Sequence, residues 1–424
     1  MSFDTAVSGI KASSTALGII GNNIANSGTT GFKTSRGEFA DVFTASLLGS
    51  SGNAAGKGVA VVGVNQSFTQ GNISYTDNVL DMAINGSGFF VLSDNGSNVY
   101  SRAGNFQVDR NGNVVNSSGN KLMVFNTTDS GKVTGEMGEL KINTALIQPK
   151  TTSEVGLLAN LDSRQVEPAT PWPAAPATFD AFADPPTAPD PDMFNASTSV
   201  QIYDSLGNAH VQSMYFAKTA DQNKWNVYTL IDGKSVSGPD EVNFDTSGKI
   251  DAAQLPLEVD ITGWTPLNKN GDANGANPQN LTLDFSNLSQ FGNEFSVNNI
   301  SQDGYTTGQL RGVEVGDGGI VFARFTNGQS RALGQIALAN FSNTAGLQPL
   351  GSTAWAETFA SGQPAISGPG SAGLGTVQSG ALEDSNVEVT QQLVDMIVAQ
   401  RNFQANAKVI QTEDTITQTV INLR

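Results

Sequence analysis

Residues 3–24 read FDTAVSGIKASSTALGIIGNNI, a stretch in which large apolar side chains recur about every seven positions. This period predicts an amphipathic α-helix with one apolar face. The other face is made of Gly, Ala and Ser, which allows another backbone to approach closely. Nothing near this helix in sequence offers a surface to cover it. The residues that we assign to its contact face are Phe3, Val7, Ile10, Leu17, Ile20 and Ile24.

A second amphipathic helix is predicted at the opposite end of the chain. It begins near Ser385 and Glu388, which have the spacing of a capping box, and it runs almost to Leu423. Its apolar residues fall on two stripes that lie roughly opposite each other. The assembly contacts assigned to the first stripe are Val389, Leu393, Met396, Phe403 and Ile410, and those assigned to the second are Val394, Val398, Val409, Ile416 and Val420. A helix with two apolar faces must be covered twice.

Two arrangements would cover these helices. They can pair with each other inside one chain, as amphipathic helices usually do, or they can pack against other copies. One partner leaves one stripe of the C-terminal helix uncovered, so we predict packing between subunits in a coiled-coil-like inner domain. Acidic Glu388, Asp395 and Glu413 share one edge of this helix. Arg401 and Lys408 share the other edge, so a copy placed alongside would match acid to base.

Composition limits the classes of function. The chain has 424 residues, and its 39 acidic and 22 basic side chains give a formal net charge of -17, which argues against nucleic acid as a partner. The absence of cysteine excludes disulfides and thiolate metal sites. No apolar run is long enough to cross a membrane, and the first residues lack the basic region of a secretory signal peptide. We therefore expect neither membrane insertion nor a cleaved signal.

The segments between the helices predict a multidomain fold of mixed α and β structure. Short turn-separated runs of alternating hydrophobicity indicate two nested, mainly antiparallel β domains. The predicted divisions are a terminal helical inner domain at 1–27 and 380–424, glycine-rich connectors at 28–69 and 363–379, a discontinuous first β domain at 70–145 and 291–362, and an outer β domain at 146–290. The outer domain holds 18 acidic and 7 basic side chains, which suggests that it faces solvent.

Four segments carry a resemblance to a known family. NNIANSGTTGFK (residues 22–33) resembles the N-terminal signature of bacterial flagellar axial proteins, which are the rod, hook and hook-associated subunits. LDMAINGSGFFVL (80–92) and SRAGNFQVDRNG (101–112) look like the shared β domain of that family, and MIVAQRNFQANAKVI (396–410) looks like its C-terminal helix. The motif residues that we assign to the connector are Asn22, Asn23, Asn26, Gly31 and Phe32.

Within the family, GEFADVF (37–43), the chain length and the acidic insertion resemble the hook subunits more than the shorter distal rod subunits. The resemblance implies a structural subunit that assembles into a curved, flexible tube, a universal joint that transmits motor torque from rod to filament. It also implies export through the flagellar type III apparatus without a cleaved signal, and an extracellular position in the flagellum. The implied partners are other copies, the distal rod protein, the hook cap and the hook–filament junction protein.

Two alternatives remain open at this stage. The chain could be a distal rod or hook-associated subunit, or, in a different class, a secreted acidic β-rich adhesin or enzyme.

Three sequence patterns resemble sites of chemistry. His210 is the only histidine and lies in a turn-like setting, which favours a surface or packing role over general base catalysis. Residues 270–275 imitate the start of a calcium loop, but Leu281 takes the place of its closing acid.

The third pattern is GxGxxG at residues 368–373. Pro369 follows its first glycine and no predicted strand precedes it, so it is typical of a linker rather than of a phosphate-binding loop. We predict no catalytic residue, no cofactor and no metal site.

Overall fold

The computed structural model describes residues 3–42, 56–128, 131–173 and 179–422, without the side chains of Asp317 and Val420. These residues form two compact units. The terminal unit takes its residues from 1–144, 311–324 and 330–424, and the central unit takes its residues from 145–310 and 325–329. The prediction of a mixed α and β fold with several mainly antiparallel sheets is confirmed.

The terminal unit begins with helix α1 (Phe3–Ala25), which leads into an antiparallel hairpin. The hairpin consists of β1 (Ser35–Asp41) and β2 (Val59–Gln66). The predicted connector at 28–69 is therefore partly an ordered ribbon, because the valine-rich sequence of β2 favours a strand. Val59 N–H donates to Ser8 Oγ at 3.2 Å, which joins the hairpin to α1. Residues 43–55 of this connector, including its Gly/Ser-rich tract, lie outside the described residues.

Eight short strands follow in the terminal unit. They are β3 (Ile73–Tyr75), β4 (Met82–Asn85), β5 (Phe89–Asp94), β6 (Ser97–Ser101), β7 (Gln107–Val108), β8 (Val114–Val115), β9 (Lys121–Thr127) and β10 (Val133–Glu139). β5, which is buried along most of its length, pairs with β6 and with β9. The apolar run FFVL in β5 supplies the centre of this sheet.

The central unit contains two sheets. Its strands are β11 (Glu154–Asp162), β12 (Ala196–Tyr203), β13 (Ala209–Lys218), β14 (Lys224–Ile231), β15 (Lys234–Asn243), β16 (Glu258–Trp264), β17 (Gln279–Asp284), β18 (Ser289–Phe291) and β19 (Ser296–Gln302). One sheet has the order β12-β13-β14-β15, and the other has the order β16-β17-β11-β18 with β19 also on β11. Both sheets contribute to one apolar core around Trp225. Because β19 pairs with β11, residues 291–310 belong to this unit, although the predicted boundary lay at 290.

The returning chain completes the terminal unit. Its strands are β20 (Leu310–Val315), β21 (Ile320–Phe325), β22 (Ser330–Ile336), β23 (Leu338–Asn340), β24 (Gln348–Gly351), β25 (Ala354–Ala356), β26 (Ala365–Ser367), β27 (Thr376–Ser379) and β28 (Ala381–Glu383). They interleave with the earlier strands: β22 pairs with β9, β23 with β5, β25 with β6, β27 with β4 and β28 with β3. The unit therefore needs both ends of the sequence to form its sheets.

Helix α2 (Val389–Asn422) closes the chain. It begins four residues after Ser385, so the predicted capping box is wrong in detail. The Ser385 hydroxyl instead accepts from Val387 N–H at 3.3 Å, in the loop before the helix. Short 3₁₀ turns occur at Pro191–Met193, Ala252–Gln254, Asp317–Gly319 and Thr344–Gly346.

Several hairpins are closed by the same local device. Asp109, Asp204 and Asp245 each accept, through one carboxylate oxygen, the backbone N–H groups two and four residues later. A glycine in the left-handed region stands at the third position after each aspartate. Asp and Gly favour turns of this kind, which explains why such Asp–Gly turns connect the strands.

The proline-rich segment 166–193 is anchored to the central unit by aromatic stacking. The Trp172 ring lies parallel to the Tyr228 ring, with centroids 4.1 Å apart and an interplanar angle of 8°. Phe179 packs edge-on against Trp172 at 5.0 Å. Residues 174–178 of the segment lie outside the described part of the chain.

Candidate functional site

The candidate site is the surface of the helix pair, and its geometry starts from how α1 and α2 meet. They run antiparallel: Asn23 Nδ2 donates to Gln392 Oε1 at 3.0 Å near one end, and Gly9 faces Asn406 further along. A Cβ at Gly9 would lie 2.7 Å from the Asn406 side chain, so this side chain packs directly against the α1 backbone. Ala399 is buried in α2.

The face of α1 that α2 covers is therefore the small-residue face and not the large apolar stripe. The buried residues of α1 are Ala6, Ala12, Ser13 and Asn23. The predicted stripe lies beside this seam. Phe3 is exposed, while Val7, Ile10, Leu17, Ile20 and Ile24 are only partly covered. Small residues let helix axes come close, which leaves the larger side chains at the edges of the contact.

The exposure of the apolar side chains of α2 does not follow the two predicted stripes. Met396, Phe403 and Ile410 are partly covered, and they share the side of the helix that carries Ala399. Val389 and Leu393, predicted on the same stripe, are instead exposed. One antiparallel partner shields only a narrow band of a helix surface, so the assignment of both stripes to contacts between copies stays a prediction.

Five exposed residues form what we call the apolar arc of α2. They are Val389, Leu393, Val394, Ile397 and Val398, and their exposed fractions lie between 40% and 51%. At 100° per residue they span about half of the helix circumference, from Val389 at the edge of the seam to Val398 on the far side. Ile397 was not assigned in the sequence analysis. Its position between the two predicted stripes was the signal that could have identified it, since it joins them into one surface.

Toward its C-terminus, α2 extends past α1. All described side chains from Asp414 to Asn422 are exposed, including Ile416 at 54% and Ile421 at 67%. Val409, earlier in the helix, is partly covered. The side chain of Val420, also assigned as a contact, lies outside the described part of the structure. A helix end without tertiary packing is only marginally stable in water.

The β1–β2 hairpin adds further apolar surface to the same unit. Phe39, Val61, Val62 and Val64 are all exposed, and Val62 reaches 67%. Grouped exposed apolar side chains mark an interaction site more often than scattered single residues do.

Beneath the helix pair lies a buried ionic junction. Lys33 Nζ is 2.6 Å from Glu383 Oε1, and both side chains are fully buried. Arg102 Nη1 lies 3.5 Å from Glu383 Oε2, and Gly71 N–H donates to Glu383 Oε1 at 2.9 Å. Burial lowers the pKa of Lys33 and of Arg102, and the Glu383 carboxylate opposes this by stabilising both cations.

The family-like motif at 22–33 is built around this junction. Gly31 adopts a φ of +68°, and a Cβ there would lie 2.5 Å from Ala103 N, so only glycine fits. Its N–H donates to Glu383 O at 2.7 Å. Asn23 exchanges two hydrogen bonds with the Ser35 backbone, which fixes the start of β1 against α1.

The other motif residues surround a cavity of about 470 Å³ in the terminal unit. Its lining includes Asn22, Asn26, Phe32, Gln66 and Trp355. Asn26 also closes α1, because its backbone N–H and its side-chain amide both donate to Asn22 O. The motif is thus divided between the ionic junction and this cavity. No local sequence pattern indicates the Lys33–Glu383 pair, since the two residues are 350 positions apart.

The residues tested for chemistry have structural roles. His210 is buried, with Nδ1 2.6 Å from Asp232 Oδ2 and Nε2 3.3 Å from Asp204 Oδ2. Burial lowers its pKa, but the two carboxylates outweigh that effect and raise the pKa above its ordinary value. Asn268 closes the supposed calcium loop as a hydrogen-bonded turn. Within the described residues, no cluster of His, Asp or Glu has the arrangement of a metal site.

Four stretches of the chain match families of flagellar proteins. Residues 3–33 match the flagella basal body rod protein family, and residues 83–155 match the flagellar hook protein FlgE/F/G D1 domain. Residues 160–305 match the flagellar basal body protein FlaE D2 domain, and residues 378–423 match the flagellar basal body rod FlgEFG protein C-terminal family. These matches define the class of the chain as a rod or hook component of the bacterial flagellum.

Relatives aligned over the whole chain narrow this class. The chain is 38% identical to the flagellar hook protein FlgE of Escherichia coli (strain K12) and 39% identical to that of Salmonella typhimurium, with 100% of both partners covered in each case. It is 33% identical to the flagellar hook protein FlgE of Borreliella burgdorferi, over 99% of this chain and 98% of that one. The chain belongs to the flagellar hook protein family.

A solved structure supports the fold. The Helicobacter pylori flagellar hook protein FlgE2 aligns with a TM-score of 0.52 and 16% identity, over 73% of this chain and 100% of that one. The family is structural rather than enzymatic, so the adhesin or enzyme alternative is not favoured. Membership implies polymerisation into the hook, association with other flagellar components and a place in the flagellum. Neither described helix has the length and apolarity needed to span a membrane.

Proposed function

We propose that copies of this chain polymerise through their terminal helices into a curved, flexible tube that acts as a universal joint between rod and filament. The observation that carries the proposal is the apolar arc of α2, which is exposed on the side of the helix that α1 does not cover. Exposed apolar surface of this extent is stabilised when a neighbouring copy removes it from water.

The proposed contacts between copies follow from exposure. They comprise the apolar arc, Ile416 and Ile421 at the free end of α2, and the edges of the α1 stripe with Phe3, Val7, Ile10, Leu17, Ile20 and Ile24. Val420 is included on the helix periodicity alone. Met396, Phe403, Val409 and Ile410 are already partly covered within the chain, and we assign them a supporting role beside the contact.

A tube that rotates while bent must lengthen and shorten each line of subunits once per turn. We infer that the helical contacts stay fixed during this cycle and that contacts at larger radius are exchanged. The acidic central unit is placed at the outer surface of the tube, where its charge keeps it solvated. The helices are placed at the inner wall.

We also propose the finer partners that the family resemblance implies. The subunit would leave the cell through the flagellar type III export apparatus, without a cleaved signal peptide, and would assemble extracellularly beneath the hook cap. The tube would contact the distal rod protein at one end and the hook–filament junction protein at the other. The exposed termini support this, because they provide surface that becomes covered only during assembly.

The test is a comparison of matched triple variants of the full chain. One variant carries Leu393→Ser, Ile397→Ser and Val398→Ser in the apolar arc. The control carries Val166→Ser, Leu206→Ser and Val211→Ser, which are exposed apolar residues of the central unit. Sedimentation and electron microscopy under salting-out conditions, which strengthen apolar burial, report polymerisation.

We expect curved tubes from the wild-type chain and from the control, and monomers from the arc variant. Tubes from the arc variant at the wild-type concentration would contradict the proposed interface. Discrete particles from the wild-type chain would contradict the proposed function, and straight rigid tubes would favour a rod-type subunit.

A further inference from the structure

Phe359 is the most exposed large apolar side chain among the described residues, with its whole ring in solvent. It lies in the terminal unit, in the loop that follows β25. Single exposed apolar residues are common on protein surfaces and carry no meaning by themselves. The loop that presents this one, however, is unusually well fixed.

Three side chains hold the loop on both sides of Phe359. Thr358 Oγ1 donates to Gly346 O at 2.6 Å, which ties the loop to the neighbouring 3₁₀ turn. Thr358 N–H donates to Ser361 Oγ at 2.9 Å, and Ser361 is fully buried. Asn343 Nδ2 donates to Ala360 O at 3.0 Å. Consecutive residues on either side of the ring are therefore pinned to the body of the unit.

The strand before the loop is fixed as well. Tyr100 Oη donates to Glu357 Oε2 at 3.0 Å, two residues before Phe359. Ser342 Oγ donates to Ser361 O at 3.2 Å, two residues after it. A loop held in this way loses little conformational entropy when its tip binds, which is the property that makes a rigid aromatic residue an effective contact.

The size of the side chain decides the kind of partner. A phenylalanine ring buries about 150–250 Å² at most, whereas a specific interface needs on the order of 1,000 Å². Phe359 can therefore contribute only where other contacts already hold the partner. The proposed function supplies such a partner, because the terminal helices bring copies of the same unit side by side. We propose that Phe359 packs against a neighbouring copy of this chain in the polymer, a step that rests on the proposed function.

The first experiment measures the critical concentration for polymerisation of the full-length chain by sedimentation. Phe359→Ala removes the ring, and Val166→Ala, at a 74% exposed position of the central unit, is the matched control. We expect Phe359→Ala to raise the critical concentration by about tenfold, which corresponds to the loss of one interface hot spot. The control should polymerise as the wild-type chain does. Both monomers should melt at the wild-type temperature, since neither ring nor valine is buried in the monomer.

The second experiment places a photoreactive benzoylphenylalanine at position 359. Irradiation of the polymer should yield covalent dimers of this chain, and irradiation of the same variant as a monomer should yield none. The proposal requires both results, so an unchanged critical concentration for Phe359→Ala, or a polymer without crosslinked dimers, overturns it. Failure of the wild-type chain to polymerise would instead overturn the proposed function, which separates the two outcomes.

Discussion

Lys33 and Glu383 are 350 positions apart in the chain, yet Lys33 Nζ lies 2.6 Å from Glu383 Oε1 and neither side chain is exposed. Lys33 ends the motif that begins in the last turn of α1, and Glu383 ends β28, the last strand before α2. The pair therefore joins the two ends of the sequence at the base of the helix pair. With Arg102 close by, one carboxylate compensates two buried cations.

Glu383→Gln should destabilise the terminal unit by about 3–5 kcal/mol, because it leaves Lys33 and Arg102 buried without a counter-charge. Urea denaturation of the monomer measures the loss. Glu139→Gln is the control, since its partner Lys121 lies at 2.7 Å but both side chains are more than a third exposed. That change should cost no more than about 0.5–1 kcal/mol. Equal losses of unfolding free energy in the two variants would show that burial does not determine how much the Lys33–Glu383 pair stabilises the unit.

Gly31→Ala should destabilise the terminal unit by at least about 2 kcal/mol. The residue has a left-handed φ of +68°, and the added methyl group would lie 2.5 Å from Ala103 N. Gly28→Ala, three residues earlier, is the control because an added Cβ would meet no atom within 4 Å beyond its chain neighbours and its φ is not left-handed. It should be neutral or slightly stabilising. Thermal denaturation of both variants decides the matter, and a stable Gly31→Ala variant would contradict the close packing of the motif.

The central unit should lose stability as the pH rises through neutrality. The pKa of His210 is raised in the folded state by Asp232 and Asp204, so its charged form stabilises the fold below the ordinary histidine pKa. That contribution disappears as the pH rises through the higher folded-state value.

The measurement is urea denaturation at about pH 5.5 and about pH 8.5, on either side of the histidine range. The wild-type central unit should be more stable at the lower value, and His210→Gln should abolish most of that difference. A pH dependence that survives in His210→Gln would assign it to other groups.

Trp172→Ala should release the proline-rich segment 166–193 from the central unit. The Trp172 ring stacks on Tyr228 at 4.1 Å, and such pairs contribute about 0.5–1.5 kcal/mol beyond the area that they bury. Limited proteolysis should then cut this segment faster, while the sheets stay intact. Trp172→Phe keeps an aromatic ring in place and should retain most of the protection. Equal cleavage rates in the wild-type chain and Trp172→Ala would show that other contacts hold the segment.

Local patterns in the sequence were sufficient for the terminal helices. The seven-residue period from Phe3 to Ile24 and the apolar pattern after Val389 depend only on neighbouring residues, which share one helix surface whatever else the chain does. The Asp–Gly turns of the hairpins likewise depend only on residues that are close in sequence. Four family-like segments identified the class of protein, because each is short and retains its order along the chain.

Only the tertiary structure decided which surfaces remain free. The small face of α1 is covered because α2 returns from the far end of the chain and packs at Gly9, and this contact leaves the apolar arc of α2 exposed. The partner of Lys33 and the place of β19 beside β11 depend likewise on residues distant in sequence. Periodicity shows that a face is apolar, but which molecule removes it from water depends on how the whole chain folds back on itself.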